Sequence, residues 1–148
     1  MSNFPIRVWR KDDLDEVVRL SLALFPYAAP EEHRREIQTL LERDDARIFV
    51  IERQGGGLGG FVEAGTRSVA DGCDSSPVGY IEAWYVDPDL RRSGLGRALL
   101  AAAEDWARQR GYTEMASDAL IDNEVSHRAH RNAGYIEVDR VITYRKQL

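Results

Sequence analysis

The spacing of apolar residues along this chain changes period several times, and each change marks an element. A short apolar run over residues 6–10 predicts a strand. After Lys11-Asp12-Asp13, the residues Leu14, Val17, Val18, Leu20, Ser21 and Leu24 recur at helical spacing until Phe25-Pro26 stops them. Pro30-Glu31-Glu32 then opens a second helix: proline is tolerated in a first turn, acids there face the positive end of the macrodipole, and Ile37, Leu40 and Leu41 form the buried stripe. Residues 47–53 and 58–68 read as a hairpin around the turn at 54–57, and the polar stretch 69–77 reads as a loop. A strand over 77–86 leads into a helix from about 94 to 110, with Leu95, Ala98, Leu99, Ala102 and Trp106 on one face and Gly111 as its cap. Residues 114–118 predict a short strand. Asp122 or Asn123 starts a last helix that Gly134 ends, and residues 135–138 and 141–146 predict a closing antiparallel pair. The result is a mixed α/β chain, β-α-α-β-β-β-α-β-α-β-β, with no repeat and no linker, and so a single domain over 1–148.

Composition narrows the classes. With 20 Lys+Arg against 25 Asp+Glu, the net charge of −5 disfavours a general nucleic-acid binder and favours a cationic partner. Cys73 is the single cysteine, which forbids an internal disulfide and a multi-cysteine zinc site and points to the cytoplasm. The start of the chain lacks an apolar signal core, and no run approaches the ~20 apolar residues of a membrane span. His127 and His130 are spaced by three but lack a carboxylate partner on the same helix face, so no metal is expected.

The most chemically specific stretch runs from Val86 to Leu100. Arg91, Arg92, Ser93, Gly94, Leu95, Gly96 and Arg97 join a strand end to a helix start, where unpaired backbone N–H groups and the macrodipole favour an anion. Neither G-x-x-x-x-G-K-[ST] nor G-x-G-x-x-G occurs. The pattern present, Arg91-x-x-Gly94-x-Gly96 after an apolar strand, resembles the acyl-coenzyme A signature of the GNAT family of N-acetyltransferases, and the element order is similar to that fold. The strings Asp71-Gly72-Cys73-Asp74-Ser75-Ser76-Pro77-Val78, Glu114-Met115-Ala116-Ser117-Asp118 and Arg140-Val141-Ile142-Thr143-Tyr144-Arg145-Lys146 resemble segments of aminoglycoside 6′-N-acetyltransferases.

The resemblance implies a twisted mixed sheet whose central parallel strands splay apart, with acetyl-CoA in the gap. Trp84, Tyr85 and Val86 would line it, the 91–97 loop would cradle the pyrophosphate, and Asn123 and Ser126 would touch pantetheine or cap the last helix. Glu82 interrupts an apolar strand, and the resemblance implies a base or substrate anchor there; a solvent-facing strand residue is the plain alternative. Asp118 and Asp74 are candidate ammonium ligands, or else turn and solvated loop residues. Phe25, Tyr27 and Trp84 offer faces to a sugar or cation, or simply pack. His130 stands where the family pattern has a proton-donating tyrosine, which makes it a candidate acid beside Tyr112, Tyr135 and Tyr144. Cys73 is expected to be inert. The implied function is direct acetyl transfer to the 6′-amine of an aminoglycoside by a homodimer, with another amine acceptor or a non-catalytic acyl-CoA sensor as alternatives.

Overall fold

The computed structural model describes residues 3–148; Met1 and Ser2, at the start of the segment read above as lacking a signal core, lie outside the described residues. Strand β1 (Ile6–Val8) is followed by helices α1 (Leu14–Leu24) and α2 (Pro30–Thr39), then by β2 (Arg47–Glu52), β3 (Leu58–Arg67) and β4 (Val78–Val86). Helix α3 (Leu95–Gln109), β5 (Met115–Ser117) and α4 (Glu124–Asn132) complete the regular elements. One sheet runs in the order β1-β2-β3-β4-β5, antiparallel throughout except for the parallel pair β4 and β5.

Period-two alternation divides the strands between two cores. Phe61, Val50, Ile48 and Ala83 face α1 and α2, where they meet Leu14, Val17, Leu20 and Ile37. Val62, Ala64, Ile51 and Ile81 face the other way, against Leu95, Leu99, Leu100, Ala103 and Trp106 of α3. The buried stripe of α3 is therefore rotated from the sequence expectation: Ala98 is exposed, while Leu100, Ala103 and Ala107 are buried. Alanines carry too little apolar surface to reveal which side of a helix meets the sheet.

The closing strand pair does not form. Residues 135–148 carry no strand or helix, and Ile136, Val138, Ile142 and Tyr144 are exposed, Tyr144 to 88%. The segment is nonetheless attached. The Tyr135 hydroxyl donates to Glu104 at 2.7 Å, and Val138 packs on Gly72 so closely that a side chain there would collide with it. Alternation in 135–146 signals strand-forming character but names no partner, and none pairs with it among the described residues.

Asp87, directly after β4, ties three elements together. It is buried and accepts from Arg19 of α1 at 3.1 Å and from Arg53, just beyond β2, at 3.0 Å, while its own N–H donates to the Gly59 carbonyl at 2.8 Å. Arg53 also holds Asp89 with two bonds, at 2.8 and 2.9 Å. Removing the carboxylate breaks both ties of β4, although Arg53 keeps Asp89, Arg19 keeps Glu16 and the Leu58 carbonyl, and both guanidinium groups remain partly hydrated. Asp87→Ala is expected to cost about 2 kcal/mol, between the surface and buried limits for ion pairs, and Asp87→Asn less, read as a shift of the urea midpoint at constant m.

Candidate active site

The β4–β5 ladder is short. It pairs Gly79 with Met115, Tyr80 with Ala116 and Ile81 with Ser117, and then stops, whereas β4 continues to Val86 held by β3 alone. From residue 82 onward one edge of β4 is therefore open, and peptide groups there await a partner. The splay implied by the resemblance is present, and its cause is local: β5 lasts only three residues.

The floor of the splay is aromatic. The Trp84 indole N–H donates to the Gly96 carbonyl at 3.0 Å, which locks β4 to the first turn of α3. His130 meets Trp84 edge-on at 5.3 Å and Tyr135 at 5.7 Å between ring centroids. Its Nδ1 lies 2.7 Å from the Ser126 carbonyl, which can only accept, so Nδ1 carries the proton; Nε2 then accepts from the Ser117 hydroxyl at 2.8 Å. Both ring nitrogens are committed, one to α4 and one to β5. Asn123 caps α4 by accepting the Ser126 N–H at 3.1 Å, so the capping role of this pair is present.

Two left-handed residues shape the loop before α3: Arg92 at φ 62° and Gly94 at φ 83°. Gly94 has open space around it and is required for its backbone conformation, while a side chain at Gly96 would meet Trp84 at 3.4 Å. The amides of 95–97 open the first turn of α3 and have no acceptor within the helix. Arg91 folds back, its Nε donating to the Val86 carbonyl at 2.8 Å and its guanidinium lying 5.3 Å from the Tyr85 ring centre, while Arg92 and Arg97 are exposed.

The opposite face of the sheet is polar. Glu63 and Gly65 sit between Ala64 and its neighbours at the parity of Phe61, and Arg67 continues that row. In β4 the register jumps, with Glu63 opposite Ala83 but Ala64 opposite Ile81, so Glu82 is the extra residue of a β-bulge. Gly65 leaves room for it: a Cβ there would meet the Glu82 Cγ at 3.4 Å. Glu82 accepts from both ends of the Arg67 fork, at 2.8 and 2.9 Å. The same guanidinium stacks 3.5 Å from the centre of the Tyr80 ring, and the Tyr80 hydroxyl donates to Asp118 at 2.5 Å. Burial and the Asp118 charge both push the Tyr80 hydroxyl up, so it stays protonated as a donor. Glu82 and Asp118 thus belong to one network, joined by two residues that sequence reasoning missed. The row at 61, 63, 65 and 67 was the signal that could have found Arg67.

Glu63 was missed as well. It lines a cavity of about 190 Å³ together with Glu82, Arg67, Arg43 and Thr66, and it also borders a cavity of about 580 Å³ beneath α2. Burial, with Glu82 and Glu36 against the opposing pull of Arg43, raises its carboxyl to about 7. Asp74 is placed elsewhere. Its backbone N–H and the Ser75 N–H and hydroxyl all donate to Glu114, immediately before β5 and away from the splay, at 2.9, 2.7 and 2.5 Å. Phe25 packs at the core edge against His33, which lines the larger cavity, while Tyr27 is exposed. The Cys73 thiol is pushed up by burial and by Glu114, which disfavours a reactive thiolate. Among the described residues no group of three or more His, Cys, Asp or Glu is arranged for a metal, and no helix is long and apolar enough to cross a membrane.

Comparison with known proteins places this geometry. The profile of the Acetyltransferase (GNAT) family matches residues 14–135. An aminoglycoside N(6′)-acetyltransferase type 1 from Serratia marcescens is 38% identical over 93% of this chain and 94% of its own length, and one from Klebsiella aerogenes is 42% identical over 84% of each. Among solved structures, AAC(6′)-Iy in complex with the bisubstrate analogue CoA-S-monomethyl-acetylneamine superposes with a TM-score of 0.92 at 34% identity, covering 99% of this chain and all of the other. AAC(6′)-Ih from Acinetobacter baumannii gives 0.91 at 29% identity, covering 99% of each chain.

His130 holds α4 to β5, and its removal opens a gap beside Trp84. His130→Ala is expected to lose about 1–3 kcal/mol in urea unfolding, because the Ser126 carbonyl and Ser117 hydroxyl lose their partner. His130→Asn should recover part of that loss.

Proposed function

The chain belongs to the GNAT acetyltransferase family, and on that footing we propose that it transfers the acetyl group of acetyl-CoA directly to the 6′-amine of an aminoglycoside. The observation that carries this reading is the bulge that turns Glu82 out of β4, into a network with Arg67, Tyr80 and Asp118, on the strand whose other edge lies open. A negative wall suits an acceptor bearing several ammonium groups. Relatives that match most of this chain carry the aminoglycoside N(6′)-acetyltransferase name, which supports the same acceptor.

Acetyl-CoA is a substrate whose two ends need different surroundings. Its pyrophosphate fits the loop shaped by Arg92 and Gly94, with the 95–97 amides and the exposed Arg92 and Arg97 neutralising it. Its pantetheine amides fit the unpaired edge of β4 beyond residue 82. Trp84 supports this loop from below by packing. The acceptor amine attacks the thioester carbonyl, the carbon–sulfur bond breaks, and the thiolate leaves with the electron pair. Glu82 and Asp118 attract and orient the ammonium. A proton for sulfur cannot come directly from neutral His130, whose Nδ1 hydrogen is given to the Ser126 carbonyl, although a protonated ring could pass one through Ser117. A free thiol titrates near 8.5, so the thiolate needs little assistance.

The C-terminal segment supports a homodimer. Ile136, Val138, Val141, Ile142 and Tyr144 expose apolar side chains along a segment of strand-like sequence, and among the described residues the outer edge of β5 has no strand beside it. An exposed strand-like segment and an unpaired sheet edge are complementary, and a second copy of the chain offers both. The single free cysteine suits the reducing cytoplasm.

Two measurements test this reading. Thiol release from acetyl-CoA should be rapid with kanamycin or tobramycin, slow with spermidine or a lysine peptide, and reduced at least tenfold in Glu82→Gln. Coenzyme binding without turnover on any amine would point instead to an acyl-CoA sensor. Sedimentation should give a dimer at micromolar concentration, and a chain ending after Tyr135 should sediment as a monomer.

A further inference from the structure

Two carboxyl groups face the 190 Å³ cavity, and they differ in what holds them. Glu82 has both oxygens engaged by the Arg67 fork. Glu63 has no hydrogen bond and no ion pair among the described residues, although it is half-buried. Arg43, the cation that acts on it, spends its own fork on Asp45 at 2.9 and 3.1 Å. The Glu63 oxygens still reach solvent, so the carboxyl is open to a ligand, and it lies where the bulge brings Glu82.

We propose that Glu63 is the proton acceptor of the transfer, taking the ammonium proton of the acceptor within the cavity it shares with Glu82, while Glu82 holds that ammonium in register. This assignment rests on the acetyl-transfer reading above. The step balances: the ammonium N–H bond breaks, its proton passes to the Glu63 carboxylate, and the freed nitrogen pair forms the bond to the thioester carbonyl. The thiolate leaves and takes the nitrogen's second proton, and Glu63 returns the first to solvent, so one proton is released per acetyl group transferred. A base works best when its affinity for a proton matches the working pH, and burial with Glu82 and Glu36 brings Glu63 to about 7. Glu82 faces it from β4, Glu36 from α2 and Arg43 from the segment after α2, while Glu32, His33 and Arg35 line the adjoining cavity. The charge of Arg67 beside Glu82 disfavours a second cation there and so helps the ammonium to give up its proton.

The test is kcat/KM for tobramycin from pH 5.5 to 9.5 in wild type, Glu63→Gln and Glu82→Gln. Wild type should lose activity below a limb near 7. Glu63→Gln should be down about 10²-fold at pH 7 and less than about tenfold at pH 9.5, where the amine arrives already neutral. Glu82→Gln should mainly raise KM and move the limb below 7, since one of the charges that raises Glu63 is gone. A limb unchanged in Glu63→Gln, or an equal loss at every pH, overturns the assignment. A wild type without turnover on any amine overturns the functional reading instead. Unfolding supplies an independent readout. A carboxyl whose folded value lies above its unfolded 4.5 makes the fold lose stability as pH rises from about 4.5 to about 7, and Glu63→Gln should remove that decline.

Discussion

Everything distinctive in this molecule follows from β4 being held fully on one side and only at its beginning on the other. The ladder with β3 runs as far as Val86, but that with β5 ends at Ile81 and Ser117. Had β5 continued, the peptide groups beyond residue 82 would be paired within the sheet, and α3 would start against a closed edge. The short β5 instead leaves a slot between β4 and α4, with Trp84 and His130 as its floor and a helix N-terminus at its mouth. Asp87 fixes the far end of the strand by joining it to α1 and the β2–β3 hairpin. The slot is therefore an opening within the sheet, fastened at both ends.

The same strand is also interrupted on its paired side. One extra residue in β4 shifts the register against β3, and that residue is Glu82. A bulge reorients a side chain without moving its strand, so the open edge and the carboxylate wall are kept at a fixed separation. Arg67, Tyr80 and Asp118 then link β3, β4 and the chain after β5 across the acidic face. The open edge and the acidic face thus meet at a single strand.

Most of the element order was legible because apolar spacing reports which residues face a core. Gly94, Gly111 and Asn123 marked helix ends for reasons visible in the sequence, the glycines through positive φ and the asparagine through a cap. Glu82 stood out as a charge inside an apolar strand. Glu63 stood one strand earlier, in Phe61-Val62-Glu63-Ala64, with the same anomaly, but a single acid among alternating residues reads as an ordinary solvent-facing position. Only the neighbouring α2 and the nearby carboxylates make it unusual, and those are long-range facts. Asp74 was harder to place: its backbone belongs to a loop folded around Glu114, and loop residues give no hint of direction. The tail after Tyr135 has strand-like sequence without a strand, because pairing is a property of two segments.

Arg67 gives the acidic face a resident cation. Its guanidinium is tethered to β3, stacked on Tyr80 and forked onto Glu82, so Glu82 is already paired before any ligand arrives while Asp118 keeps its charge. A lone ammonium group must compete with a cation that is permanently at hand, and it gains little by the exchange. A ligand bearing several positive charges can engage Asp118 and other acids at the same time and meets that competition with more than one contact. Any cation that reaches Glu82 has to share it with this arginine, and the more acids it can touch at once the less that sharing costs.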